Sequence, residues 1–307
     1  MPNQNEFHVD PLLTEMSVAY QNMELIGTQL MPIFEVAKKS GIYYKFDKAN
    51  FRIEDSRRSG VTRANRVDYG LTKVNYGPLA EHSLEEAIEW DVRDNYPTPM
   101  DAYTDATNNL TAKIDLGLEK EIATMLTDSA VLTQYQALSG SNRWDDYANS
   151  DVIGNVKTAK DTIQLNGMVT ANTIALGYEV WSVVSVHPDL LGRLSVASVR
   201  VLTTELFAAL VGVEKVLIGK AIENTAVEGQ ADSMGYVWGK NVIVAYVTPK
   251  PGLKQVTLGF TLRLKGGRMV DRYTETGVKA DFVRVTDYEL PVVVALEAGY
   301  LYKTVIS

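Results

Sequence analysis

The chain has 307 residues, a net charge of -8 and 46% apolar residues. That is enough length for one large domain or two or three smaller ones, and too apolar a composition for a disordered chain. The acidic balance argues against a protein that grips DNA by neutralising phosphates, though not against one that encloses it, and the absence of cysteine removes thiolate nucleophiles, disulfides and thiolate metal sites.

No apolar run approaches the ~20 residues of a membrane span. The opening "MPNQNEFHVD" is polar and lacks the apolar segment of a signal peptide. The expectation is a cysteine-free chain made and used in a cytoplasm, with no membrane partner.

Residues 1–40 read as an arm. Asp10 as N-cap and Pro11 at the first helical position start a helix with an apolar stripe through Leu12, Leu13, Met16 and Met23. The pattern breaks at Pro32 and turns extended. Residues 41–96 read as two extended, partly aromatic segments, "GIYYKFDKANFRI" and "VDYGLTKVNYGPLAEHSLEEAIEW", punctuated by glycine. Between them lies "EDSRRSGVTRANR", with Arg57, Arg58, Gly60, Arg63 and Arg66 and with Arg52 just before it. The simplest shape is a long hairpin with its arginines at the far end. A lone hairpin is marginal in water, so it should lie on something.

Residues 97–128 give the strongest element, a helix expected to start with Thr98 as N-cap and Pro99 at the first turn and to run about 45 Å. Tyr103, Ala106, Leu110, Ile114, Leu118, Ile122 and Met125 recur at helical spacing, and Glu119 and Glu121 on or near this stripe predict polar contacts there. Residues 140–151 read as a loop, and a second helix over 151–167 ends at Asn166-Gly167. Residues 172–270 alternate short strands and helices, and "VKADFVRVTDYELPVVVALEAGYLYKTVI" returns to strand.

The chain shows no reactive constellation. His8, His82 and His187 are scattered, and His187 before Pro188-Asp189 reads as a helix start. Lys220 and Lys240 each follow a single glycine (Gly219, Gly239), without the multi-glycine turn that cradles phosphate. Ser139-Gly140-Ser141 lacks the spacing of a nucleophile elbow. Asp145, Asp146 and Asp151 lack a calcium-loop spacing, and Glu85-Glu86 could act as acid and base only inside a cleft. No catalytic, cofactor or metal residue is assigned.

The order of segments resembles the major capsid proteins of tailed phages, with the Hong Kong 97-type shell fold. "IGTQLMPIFEVAKKSGIYYKFDK" and "LTKVNYGPLAEHSLEEAI" resemble the two arms of that family's extended loop, with "RRSG" at its tip. "LTAKIDLGLEKEIATML" resembles its spine helix, and "NTIALGYEVWSVVSVHPDLLGRL" the start of its axial domain. The resemblance implies an α+β fold: an N-terminal arm (1–40), an extended β-hairpin loop (41–96), a peripheral domain with the spine helix (97–150), a mainly axial domain (151–275), and terminal strands returning to the peripheral domain (276–307).

It also implies pentamers and hexamers closed into an icosahedral shell around double-stranded DNA, without sequence-specific binding. A separate scaffolding protein and a portal would be partners, and a decoration protein a further one. The loop tip at Arg57, Arg58, Gly60, Arg63 and Arg66 would contact a neighbouring subunit. Some members crosslink a loop lysine, and nothing marks Lys73 as reactive. The alternatives from other classes are a cellular nanocompartment shell, which shares the fold, and an α/β hydrolase using carboxylates.

Overall fold

The computed structural model describes residues 8–9, 25–46, 52–58, 60–61, 63–64, 66, 71–94, 101–193, 202–227, 229–250, 252 and 255–307. The arm helix expected from Asp10 and Pro11, and the cap expected at Thr98, lie outside these residues.

In chain order the elements begin with β1 (His8–Val9), α1 (Gly27–Leu30), β2 (Ile33–Val36), β3 (Gly41–Phe46), β4 (Leu71–Tyr76), β5 (Ala80–Glu89), α2 (Trp90–Asp94) and α3 (Ala102–Thr127). There follow β6 (Tyr135–Ala137), α4 (Val152–Gly167), β7 (Thr173–Gly177), α5 (Tyr178–Val184), α6 (Pro188–Arg193), α7 (Thr204–Val211), β8 (Lys215–Gly219), β9 (Ile222–Asn224) and β10 (Met234–Tyr236). The chain closes with β11 (Val242–Ala245), β12 (Gly259–Leu264), β13 (Met269–Glu275), β14 (Ala280–Val293) and β15 (Gly299–Lys303).

The spine helix α3 starts later than its sequence pattern suggests. Asp101, extended at φ -128, caps it by accepting from the Thr104 amide, so Asp101 rather than Thr98 is the N-cap. The 26 helical residues span about 39 Å. Its buried stripe runs through Ala106, Leu110, Ile114, Leu118, Ile122 and Leu126. The second helix, α4, is capped by Asp151 and ends as the sequence predicts; the left-handed residue is Met168, at φ 58.

Among the described residues, two larger sheets organise the chain. The six-stranded sheet has the order β1-β13-β14-β12-β2, with β5 on the other side of β14. Strands β12 and β13 run in line against β14, interrupted at 265–268, where Gly266 (φ 112) and Gly267 (φ 67) take backbone conformations that favour glycine. This bulge turns Arg268 inward beneath α3. The helix lies on one face, packing Ala102, Ala106, Leu110 and Ile114 against Ile88, Val270, Val283 and Val285.

The five-stranded sheet has the order β6-β15-β11-β7-β8 and is covered on both faces. One face packs Ile174, Leu176, Val242, Val244 and Tyr302 against α4, α5 and α7. The other packs Ala175, Leu217, Ile243, Ala245 and Leu301 against the C-terminal half of α3 and against Leu30 and Met31. Residues 276–307 therefore divide: β14 lies beneath the spine helix, and β15 pairs with β11 in the second sheet. Strands β3 and β4 form an antiparallel pair, Gly41 opposite Tyr76 and Phe46 opposite Leu71. Its base packs Tyr43 and Tyr76 against Leu262 and Phe260.

Candidate inter-subunit surface

The structure places Arg57, Arg58, Gly60, Arg63 and Arg66 between β3 and β4, all of them exposed. The chain needs a way to reverse there. The Asp55 carboxylate accepts from the Arg57 amide at 2.9 Å, a local turn of the kind Asp favours. A second turn follows at Gly60, whose φ of 53 suits a residue without a Cβ. The apolar neighbours share this exposure: Ile53 is 98% and Val61 101% accessible. A single exposed apolar residue is ordinary, but two fully exposed β-branched side chains among arginines form a surface that gains from being covered.

The residues weighed for catalysis are placed in structural work. His187 is buried, with Nε2 2.9 Å from Ser150 Oγ and Nδ1 accepting the Asp189 amide at 3.3 Å. An accepting Nδ1 carries no hydrogen, so Nε2 is the donor to Ser150, the reverse of what activating a serine requires. Burial also lowers the His187 pKa, favouring the neutral ring. His187 starts α6, as its place before Pro188 predicts.

The acidic loop residues are likewise used locally. Asp145 accepts from the Ser307 amide, Asp146 from the Ala148 amide, and Asp151 caps α4. Glu85 and Glu86 sit on opposite faces of β5, bonded to Tyr273 Oη and Asn109 Nδ2, so alternation along the strand keeps them from acting as a pair. Gly219 has no room for a Cβ because Trp238 Cδ1 would lie 2.2 Å from it; it is there to seat an indole. Among the described residues no cluster of His, Cys, Asp and Glu could hold a metal ion, and no helix is long and apolar enough to cross a membrane.

Two buried polar clusters set the geometry from which the loop departs. Glu119, on the stripe of α3 and 2% exposed, accepts from the Ile26 amide at 2.9 Å, the Gly27 amide at 2.6 Å and Trp238 Nε1 at 2.6 Å. Burial raises its pKa while these three donors hold it down, with a net upward shift. One carboxylate thus ties together the segment leading to the extended loop, the spine helix and the turn between β10 and β11. Beneath the helix, Arg268 meets Asp115 and Asp287, while Arg263 meets Asp287 and Glu289. Burial, then the neighbouring Asp287 charge, raises the Glu289 pKa.

No family model matches the chain. The major capsid protein of Burkholderia phage BcepMu is 31% identical over 303 residues, covering 95% of each chain. This chain belongs to the phage major capsid proteins. Among solved structures, a phage-related protein from Bordetella bronchiseptica RB50 superposes on this capsid protein with a TM-score of 0.80 at 28% identity, over 97% of this chain and 98% of that one. The capsid structure of cyanophage P-SCSP1u gives 0.57 at 11% identity over 89% and 86%, a likeness of fold: the capsid protein has the shell fold of the Hong Kong 97 type. Sequence reasoning found the cationic tip but passed over the acidic row of β5, Glu81, Glu85 and Glu89, which alternation alone puts on one face.

Proposed function

We propose that copies of this capsid protein assemble in the host cytoplasm into pentamers and hexamers, and that these close into an icosahedral shell around double-stranded DNA. Its mechanism is repeated weak contact under symmetry rather than turnover of a substrate. A net charge of -8 suits a wall that encloses DNA without gripping it. A scaffolding protein, a portal and a decoration protein are the partners this reading adds.

The observation that carries the reading is the loop tip. Covering Ile53 and Val61 on a neighbour would contribute up to about 1.5–3 kcal/mol each before association costs, whereas an exposed arginine ion pair contributes about 0.2–1 kcal/mol. The apolar pair therefore supplies the larger share of adhesion, and Arg57, Arg58, Arg63 and Arg66 select where the tip lands. Sizing and negative-stain microscopy of the purified chain test this. Capsomers, shells or tubes are expected, and a compact monomer at high concentration would count against it.

A further inference from the structure

The spine helix is held at two apolar stretches. Ala102, Ala106, Leu110 and Ile114 pack on the six-stranded sheet, and Leu118, Ile122 and Leu126 pack against the five-stranded one. Between these stretches lies the ionic cluster of Asp115 on α3, Arg263 on β12, Arg268 in the bulge, and Asp287 and Glu289 on β14. The side chains of Asp287 and Glu289 are 0% and 1% exposed, and that of Arg268 is 6% exposed.

Three carboxylates here face two guanidiniums. The cluster carries one negative charge too many where there is little water to offset it, and a buried unpaired charge is relieved by protonation. The hydrogen bonds locate the proton. Asp287 is fully used: Oδ2 meets Arg263 and accepts from Arg268, and Oδ1 accepts from the Tyr288 amide. Asp115 accepts from Arg268 and is partly exposed. Glu289 accepts from Arg263 through Oε2 at 2.8 Å, but its Oε1 is buried without a partner. An orphaned hydroxyl costs less there than an orphaned anionic oxygen.

The other ionisable groups that register brings to this face do not cancel the excess. Glu35 of β2 stands opposite Arg263 and is exposed. Lys265, two residues beyond Arg263, is also exposed. His82 of β5 stands opposite Asp287, with its Nε2 buried and without a partner. Burial, then Asp287, moves the Glu289 pKa up against the pull of Arg263 and Arg268.

We propose that the cluster beneath the spine helix holds one proton on Glu289 at neutral pH and acts as a proton-dependent clamp of α3 onto the six-stranded sheet. The proton balances the excess charge. Its loss leaves a buried anion in the seam and loosens the helix. The clamp lies within each subunit and does not depend on the shell reading.

The pH dependence of stability tests this. A carboxyl with a raised folded pKa stabilises fully below its ordinary value of 4.5 and loses that contribution as pH rises through the folded one. Glu289→Gln keeps the shape and cannot ionise. Its thermal midpoint should match wild type at about pH 4 and exceed it by about 2–4 °C at about pH 9. If Glu289 instead stabilises as the anion paired with Arg263, the variant falls below wild type as pH rises, and the proposal is overturned. A profile altered by His82→Asn and not by Glu289→Gln would put the proton on the histidine and overturn it equally.

Asp115→Asn keeps the test open should Glu289→Gln fold poorly. It brings the count to two carboxylates against two guanidiniums and leaves an acceptor for Arg268. Its midpoint relative to wild type should rise between about pH 5 and about pH 9. A relative midpoint that stays level or falls over that range contradicts the clamp.

Discussion

The two sheets of this capsid protein solve the burial problem differently. The five-stranded sheet is covered on both faces, and its strands are apolar on both sides: β7 reads TIALG and β11 reads VIVA, every residue buried. The six-stranded sheet is helix-covered on one face, and its strands alternate, as ADFVRVTDYELPVV does in β14. Strands buried on both faces lose alternation, and strands with one wet face keep it. The inner strands of the first sheet are thus buried within one subunit, whereas the second leaves the acidic row of β5 exposed. A subunit built to assemble needs both kinds: a sheet that fixes its shape and one that leaves surface for a neighbour.

The comparison breaks most sharply at the doubly covered sheet. Trp144 is fully buried, with its ring 6.3 Å from that of Tyr302. Trp144→Ala should cost about 3–5 kcal/mol, read as a lower denaturant midpoint and less soluble protein. Next is the junction at Glu119. Glu119→Ala strands three donors, and a loss of about 3 kcal/mol is expected in the same measurement.

A smaller effect is expected from Asp281, under the N-terminal end of the spine helix. Burial pushes its pKa up, but hydrogen bonds from Tyr103, Thr274 and Arg93 outweigh burial and bring it from 3.8 to about 2. A carboxyl with a depressed folded pKa stabilises fully above its unfolded value and loses that contribution as pH falls through the folded one. Thermal midpoints should therefore fall between about pH 4 and pH 2, and Asp281→Asn should flatten that part of the profile. The smallest effect on the subunit, and the largest on assembly, belongs to the tip. Ile53→Ser with Val61→Ser should change unfolding free energy by no more than about 0.5 kcal/mol while lowering shell yield by microscopy.

Local patterns carried much of the fold. The stripe of α3, the stop of α4 near Gly167, and the apolar runs at β7 and β11 follow from periodicity and turn chemistry. The cationic tip was readable because its arginines fall within one short stretch of the chain. What the sequence hid is non-local. Thr98-Pro99 and Asp101 both satisfy the local rules for a helix start, and the hydrogen bond from Thr104 picks out Asp101. Glu119 stood out as a charge on an apolar stripe, but its donors lie 93, 92 and 119 residues away. Arg268 looks like a surface residue until the bulge at 265–268 turns it under α3.

Hydrogen exchange on free subunits and on assembled shells tests the central claim most directly. Amides of residues 52–66 should become protected on assembly, while β7 and β11 are protected in both states. Assembled shells in which that segment exchanges as fast as in the free subunit, with protection gained elsewhere, would contradict it.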